Sequence, residues 1–175
     1  TMADSAVPYY HRQNLGCVVN ETFGECEHEW PFGAGLTYTT FEYSNVSLRV
    51  AEGHTVDINV TVRNAGSVAG QEVVLLFVRQ DTRQGNVPET KRLIKFEKIQ
   101  LGAGNAQVVQ FRVGATDVGI YTNTIGRGLH RVVTDGNYTL MFKADTKCNS
   151  SMPQQPLCTT FQAKTVSTSK WEYSS

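Results

Sequence analysis

An all-β fold, an antiparallel sandwich of seven or eight strands, is what this 175-residue chain predicts, on three observations. Short runs of β-branched and aromatic residues recur along it. Turn clusters separate the runs: Glu52-Gly53, Asn64-Ala65-Gly66, Gly102-Ala103-Gly104-Asn105 and Asp135-Gly136-Asn137. No stretch carries a helical period, and no internal repeat suggests a solenoid.

Taken in order, residues 1–29 read as an irregular lead segment. Glu25, Glu27 and Glu29 alternate with Cys26 and His28, so an extended chain puts the three carboxylates on one solvated side. Acid–base chemistry needs carboxyls set apart across a substrate, and this run does not arrange that. Trp30-Pro31-Phe32-Gly33-Ala34-Gly35-Leu36-Thr37-Tyr38 is an entry corner. Trp30 and Phe32 supply apolar anchors, Pro31 fixes φ, and Gly33 and Gly35 permit backbone angles that other residues avoid. Thr37 to Phe41 begins the first strand.

The strands expected are 39–50, 55–63, 72–79, 93–101, 106–113, 129–133, 138–144 and 159–166. Their inward positions include Val56, Ile58, Val60, Val62, Val74, Leu76, Phe96, Phe111, Tyr138, Leu140 and Phe142. Val73 to Val78 is apolar without alternation, which predicts a central strand covered on both faces. Residues 80–90 read as a polar crossover. The sandwich occupies 30–166, and 167–175 is a tail with Trp171 and Tyr173 in alternation.

Lys+Arg and Asp+Glu both number 16, so the formal net charge is zero and no basic face for nucleic acid is implied. No apolar run has the length of a membrane span. Residues 1–15 lack the apolar core of a signal peptide, which reads as a mature or excised segment. The four cysteines fall into two local pairs, predicting disulfides Cys17–Cys26 and Cys148–Cys158; their spacing does not suit zinc. Sequons at Asn20, Asn45, Asn59, Asn137 and Asn149 predict N-linked glycans and a secreted, extracellular protein. In Val56 to Val62 the apolar residues alternate, and Asn59 falls on the opposite face, where a glycan fits. The four histidines are not at metal-ligand spacing with one another. No nucleophile elbow or dinucleotide fingerprint is present, and no cofactor is expected.

Four segments carry a family resemblance. Pro31-Phe32-Gly33-Ala34-Gly35-Leu36-Thr37-Tyr38-Thr39 resembles the PFGxGLSYT signature of family 3 glycoside hydrolases, the β-glucosidase family. Asn64 to Val74 resembles that family's NTGxxAGxEVV run. Leu93 to Ile99 resembles its LKGFxKV strand, with Lys95 where the family has Gly, and Asp135 to Leu140 resembles its PGxYTL strand. The resemblance covers about residues 30–145, with the motifs in order. It implies the C-terminal fibronectin type III-like domain, an immunoglobulin-like sandwich. It also implies that the nucleophilic Asp and the acid–base Glu lie in domains before residue 30. The 29 residues preceding the signature cannot hold those domains, so no catalytic residue carries over and this chain alone is not an enzyme. Asp57, Asp117 and Asp135 match no catalytic motif.

Three functions follow from these readings. The first is a glycosylated extracellular module acting in assembly, with Trp171 and Tyr173 of the tail adding to a sheet edge of a neighbouring copy. A head-to-tail contact of that kind grows a filament. The second is the C-terminal part of a β-glucosidase-like hydrolase, with the upstream catalytic domains as partner. The third, a carbohydrate-binding module, needs a row of exposed aromatics, for which Tyr9, Tyr10, Trp30 and Trp171 are the candidates.

Overall fold

The computed structural model describes residues 18–19, 22–23, 32–51, 55–80, 91–121, 131–148, 155–163 and 166–167. In chain order these form β1 (Val18–Val19), β2 (Thr22–Phe23), β3 (Phe41–Ala51), β4 (Thr55–Asn64), β5 (Gly70–Gln80), β6 (Arg92–Leu101) and β7 (Ala106–Val113). A single helical turn α1 (Ala115–Val118) follows, then β8 (Ile120–Tyr121), β9 (Arg131–Val133), β10 (Gly136–Phe142), β11 (Cys158–Ala163) and β12 (Val166–Ser167). The signature stretch therefore enters its strand at Phe41, two residues later than the expected strand 39–50. The last expected strand is split into β11 and β12, and α1 is a turn that no helical period announced.

Two antiparallel sheets make the sandwich. One has the order β11-β10-β5-β6 and the other β3-β4-β7. A small sheet β12-β9-β8 lies beside them. Alternation drives the packing. Val56, Ile58, Val60 and Val62 of β4 face the core, while Val74, Leu76 and Val78 of β5 and Tyr138, Leu140 and Phe142 of β10 meet them from the opposite sheet. Tyr138 stacks on Phe161 with ring centroids 5.5 Å apart, and its hydroxyl donates to the Thr134 carbonyl at 2.9 Å. A tyrosine bonding back to backbone a few residues upstream is a corner device of immunoglobulin-like sandwiches.

β5 is central in its sheet and covered on both faces along much of its length. Phe77 and Met141 are buried on its outer side, beneath Phe32 and the Cys148–Cys158 disulfide. Of the eleven core positions expected, ten are buried and Phe96 is not; it is 68% exposed. The reason is a bulge. The β5–β6 register shifts between Leu76 and Phe77, whose partners are Lys95 and Leu93, so Ile94 is skipped. Ile94 packs on the core, and beyond the bulge the parity of β6 is reversed: Ile99 and Leu101 point in, and Phe96 points out.

Candidate interaction surface

Two of the sequence motifs meet at one buried asparagine. The Asn64 side chain accepts from the Thr39 hydroxyl at 2.6 Å and from the Gly66 N–H at 3.1 Å. It donates to the Val68 and Leu101 carbonyls at 2.8 and 3.1 Å. All of its hydrogen-bonding capacity is used in a fully buried site, as burial of an amide demands. Thr39 fills the space beside Gly66 and Gly70. A Cβ at Gly70 would stand 2.6 Å from Thr39 Cγ2, and one at Gly66 would clash with the Thr39 hydroxyl. The glycines of the second motif are there so that the threonine of the first can lie against them.

The other end of the signature is held as closely. Gly33 has φ +87°, and a Cβ there would come within 2.8 Å of Leu75 Cδ1. Phe32 meets Phe77 edge-on at 6.3 Å between centroids. Lys91 lies over the Phe77 ring at 4.8 Å and donates to the Ala144 carbonyl. The Arg79 guanidinium donates to the Cys148 carbonyl at 2.7 Å, fixing the disulfide-bearing segment to β5. Burial holds the Lys91 ammonium below the usual lysine range.

Gly33 thus touches Leu75 while Thr39 touches Gly70, so residues 34–38 run alongside the stretch 71–74 of β5 between them. On this crossing Leu36 is 87% and Tyr38 103% exposed. Val73 of β5 is 42% exposed, and Phe96 is the register partner of Leu75 on the same face. Large apolar side chains are therefore uncovered near the buried Phe77 and Met141: Val73 and Phe96 on the outer face of β5 and β6, and Leu36 and Tyr38 on the segment that runs alongside. The motif predicted an anchor at Phe32 and gave no sign that Leu36 and Tyr38 face solvent. Thr39, Asn64, Val73 and Phe96 were not singled out as site residues by sequence reasoning. An Asn-x-Gly turn two motifs away from a threonine is the signal that could have found the first two.

The outer face of β3-β4-β7 is different in kind. It is polar, with Asp57 and Arg112 paired across β4 and β7 at 2.7 and 3.1 Å. The Arg112 guanidinium holds the Asp57 carboxyl below the usual aspartate value. Asn45 and Asn59 are on this side; Asn137 lies on β10 of the other sheet. Lys95, which departs from the family motif, pairs with Asp117 of α1 at 2.8 Å, and Asp117 in turn accepts from the Gly114 N–H at 2.9 Å.

A cleft of about 620 Å³ opens at one end of the sandwich, walled by Val56, Val113, Val118, Val133 and Phe161 with Asp135 among its lining residues. Among the described residues Asp135 is the one carboxylate in that lining, and the facing pair that glycoside hydrolysis uses is not found among them. Among the described residues no group of three His, Cys, Asp or Glu is placed to hold a metal. No helix among them is long and apolar enough to cross a membrane. Cys17, Cys26, Asn20, Trp30, Pro31, Asn149, Trp171 and Tyr173 lie outside the described residues, as does the acidic run at Glu25, Glu27 and Glu29.

Comparison with known proteins gives this arrangement relatives. A fibronectin type III-like domain matches residues 72–146. A β-xylosidase of Formosa agariphila is 34% identical over 124 residues, covering 69% of this chain and 16% of that protein. Thermostable β-glucosidase B of Acetivibrio thermocellus is 34% identical over 125 residues, covering 70% of this chain and 16% of its own length. A lysosomal β-glucosidase of Dictyostelium discoideum is 32% identical over 128 residues, or 66% of this chain and 15% of that one. Among solved structures, the glucose complex of a Kluyveromyces marxianus β-glucosidase superposes with a TM-score of 0.64 at 27% identity, over 78% of this chain and 15% of that chain. β-Glucosidase 3B of Thermotoga neapolitana, with bound glucose, gives 0.64 at 25% identity over 81% and 18%. The chain spans about a sixth of the length of the curated relatives it matches.

Proposed function

From the premise that the chain carries the fibronectin type III-like domain of family 3 glycoside hydrolases, we propose that it is a non-catalytic module of a longer, secreted β-glucosidase-like protein and that it supports the catalytic domains. The observation that carries the reading is the uncovered strip at Leu36, Tyr38, Val73 and Phe96. It lies on the crossing of the signature over β5, which the Asn64 and Gly33 contacts hold in one geometry. A rigid crossing that leaves its largest apolar side chains in water is suited to burying them against another surface. The Cys148–Cys158 disulfide supports an oxidising compartment.

The test is the native polypeptide. Intact mass of the purified protein, with an aryl β-glucoside assay on the same material, reads both parts of the proposal. An upstream extension of several hundred residues together with hydrolysis is the expected result. A mature chain of the present length that hydrolyses nothing overturns it. If that short chain also forms multimers that are lost on deleting 170–175, the assembly reading through Trp171 and Tyr173 replaces it.

A further inference from the structure

We propose that Asn45 and Asn59 both carry N-linked glycans and that the two glycans stand side by side on the outer face of β3-β4-β7. A sequon by itself is a short motif that arises by chance. Here the fold supplies a second observation at each site. In β3, Tyr43, Val46 and Leu48 pack on the core. A bulge between Ser44 and Ser47 inserts extra chain, and Asn45 takes it up with φ 53°, a left-handed conformation that asparagine tolerates better than most side chains. Ser44, Asn45 and Ser47 are consequently all exposed, and the asparagine and hydroxyl of that sequon both face solvent.

Asn59 sits at the middle of β4, between buried Ile58 and Val60, and its side chain leaves on the polar face. Its register partners are Ser47 on β3 and Gln110 on β7. The hydroxyl residue of the first sequon thus lies directly opposite the asparagine of the second. Asn45 lies in the bulge between the Ser44–Thr61 and Ser47–Asn59 pairs, two residues before the register partner of Asn59. The first sugars on the two asparagines come into contact range. One large aliphatic side chain is exposed nearby: Val108, 61% exposed, is the register partner of Thr61. A sugar on Asn59 has its apolar C–H face to lay over it. Asn137 is itself exposed and differs from the other two in the packing of its hydroxyl residue. The hydroxyl residue of its sequon, Thr139, is buried and is hydrogen-bonded to Thr160 at 3.3 Å.

The reaction implied is transfer from a lipid-diphosphate oligosaccharide to the unfolded chain. The carboxamide nitrogen of the asparagine bonds to the anomeric carbon, the bond from that carbon to the phosphate oxygen breaks, the lipid diphosphate leaves with the electron pair, and one amide proton passes to solvent. The folded sheet then has to accommodate the product, and both asparagines lie off the core face of their strands.

The proposal stands apart from the hydrolase reading, since either can fail alone. Its test is glycopeptide mapping of protein purified from the native source, with amidase release in heavy-oxygen water so that each formerly modified asparagine is marked as aspartate. Marked Asn45 and marked Asn59 in the same molecules are expected. The variants S47A and T61V, expressed with secretion in the same host, leave both asparagines in place, and each should lose one glycan step in intact mass with an unchanged far-UV spectrum. Native protein in which either asparagine is predominantly unmodified overturns the proposal, as does an S47A mass that differs only by the substituted side chain.

Discussion

Between Thr39 and Gly66 there is no room for a methyl group, and the two residues belong to different motifs. The close approach depends on Asn64, whose amide closes the turn and reaches the Leu101 carbonyl on a third strand. Asn64→Ala leaves the Val68 and Leu101 carbonyls and the Gly66 N–H without that partner in a buried site. A loss of about 3 kcal/mol or more is expected in urea unfolding, since each orphaned buried group costs roughly 1–3 kcal/mol. Gly66→Ala forces Thr39 aside and should cost about 1–3 kcal/mol, with most of that recovered by adding Thr39→Ala. Tyr43 offers a pH test at the same scale. Burial, then the hydrogen bond to Glu72 at 2.7 Å, then the Glu72 charge raise its phenol far above the ordinary tyrosine value. The folded state keeps a proton that the unfolded chain gives up near pH 10, an approximate value for free tyrosine. That contribution to stability is complete below the unfolded value and is lost as pH rises beyond it. Tyr43→Phe should therefore flatten the alkaline fall in melting temperature, and an unchanged slope would count against the buried phenol as its source.

Among the elements, β4 and β6 differ in how openly the sequence declares them. β4 alternates without interruption, and its three valines and one isoleucine at even positions are buried as the period of two requires. β6 also alternates apolar and polar residues and misleads, because the bulge opposite Leu76 and Phe77 reverses its parity and nothing in Leu93 to Ile99 marks the place. A bulge is set by the partner strand and by Lys95 reaching Asp117, neither of which a single-strand period can see. The functional consequence is that Phe96 is on the surface. Phe96→Ser in the present chain should change stability by no more than about 0.5 kcal/mol, as exposed positions do. Phe77→Ala, two positions past its register neighbour Leu75 and fully buried, should cost about 3–5 kcal/mol. Equal losses for the two would return Phe96 to the core. The disulfide was legible from spacing, but its task was not. Cys148 and Cys158 close a loop of sequence separation 10 over Phe77 and Met141. Replacing both with serine should remove about 2–3 kcal/mol in the chain-entropy view, measured as a lowered urea midpoint.

At the scale of the whole molecule the two outer faces are unlike. One is polar, and the other is apolar where the signature crosses β5. The succession of strands along the chain and the central two-sided β5 could be read from periodicity and turns, but not the order of the strands within each sheet. The asymmetry could not, because Leu36 and Tyr38 lie in a segment with no period, and their direction follows from where Gly33 and Thr39 are pinned. If the chain is a module of a larger hydrolase, the apolar face is the one that meets it. Burying a large apolar side chain is worth about 1.5–3 kcal/mol, so three of them carry several kcal/mol of coupling. Interface energy is also concentrated in a few aromatic and aliphatic anchors. The triple substitution L36S/Y38S/F96S is therefore expected to leave the melting temperature of the present chain nearly unchanged while lowering that of the intact parent by several degrees. In the parent it should also raise the susceptibility of the module to protease at low dose. A triple variant whose parent melts and resists protease like the native protein would mean that the strip meets no domain of its own polypeptide. The opposite outcome, a present chain that loses its fold on the same substitutions, would mean that Leu36, Tyr38 and Phe96 were holding the sandwich together from outside.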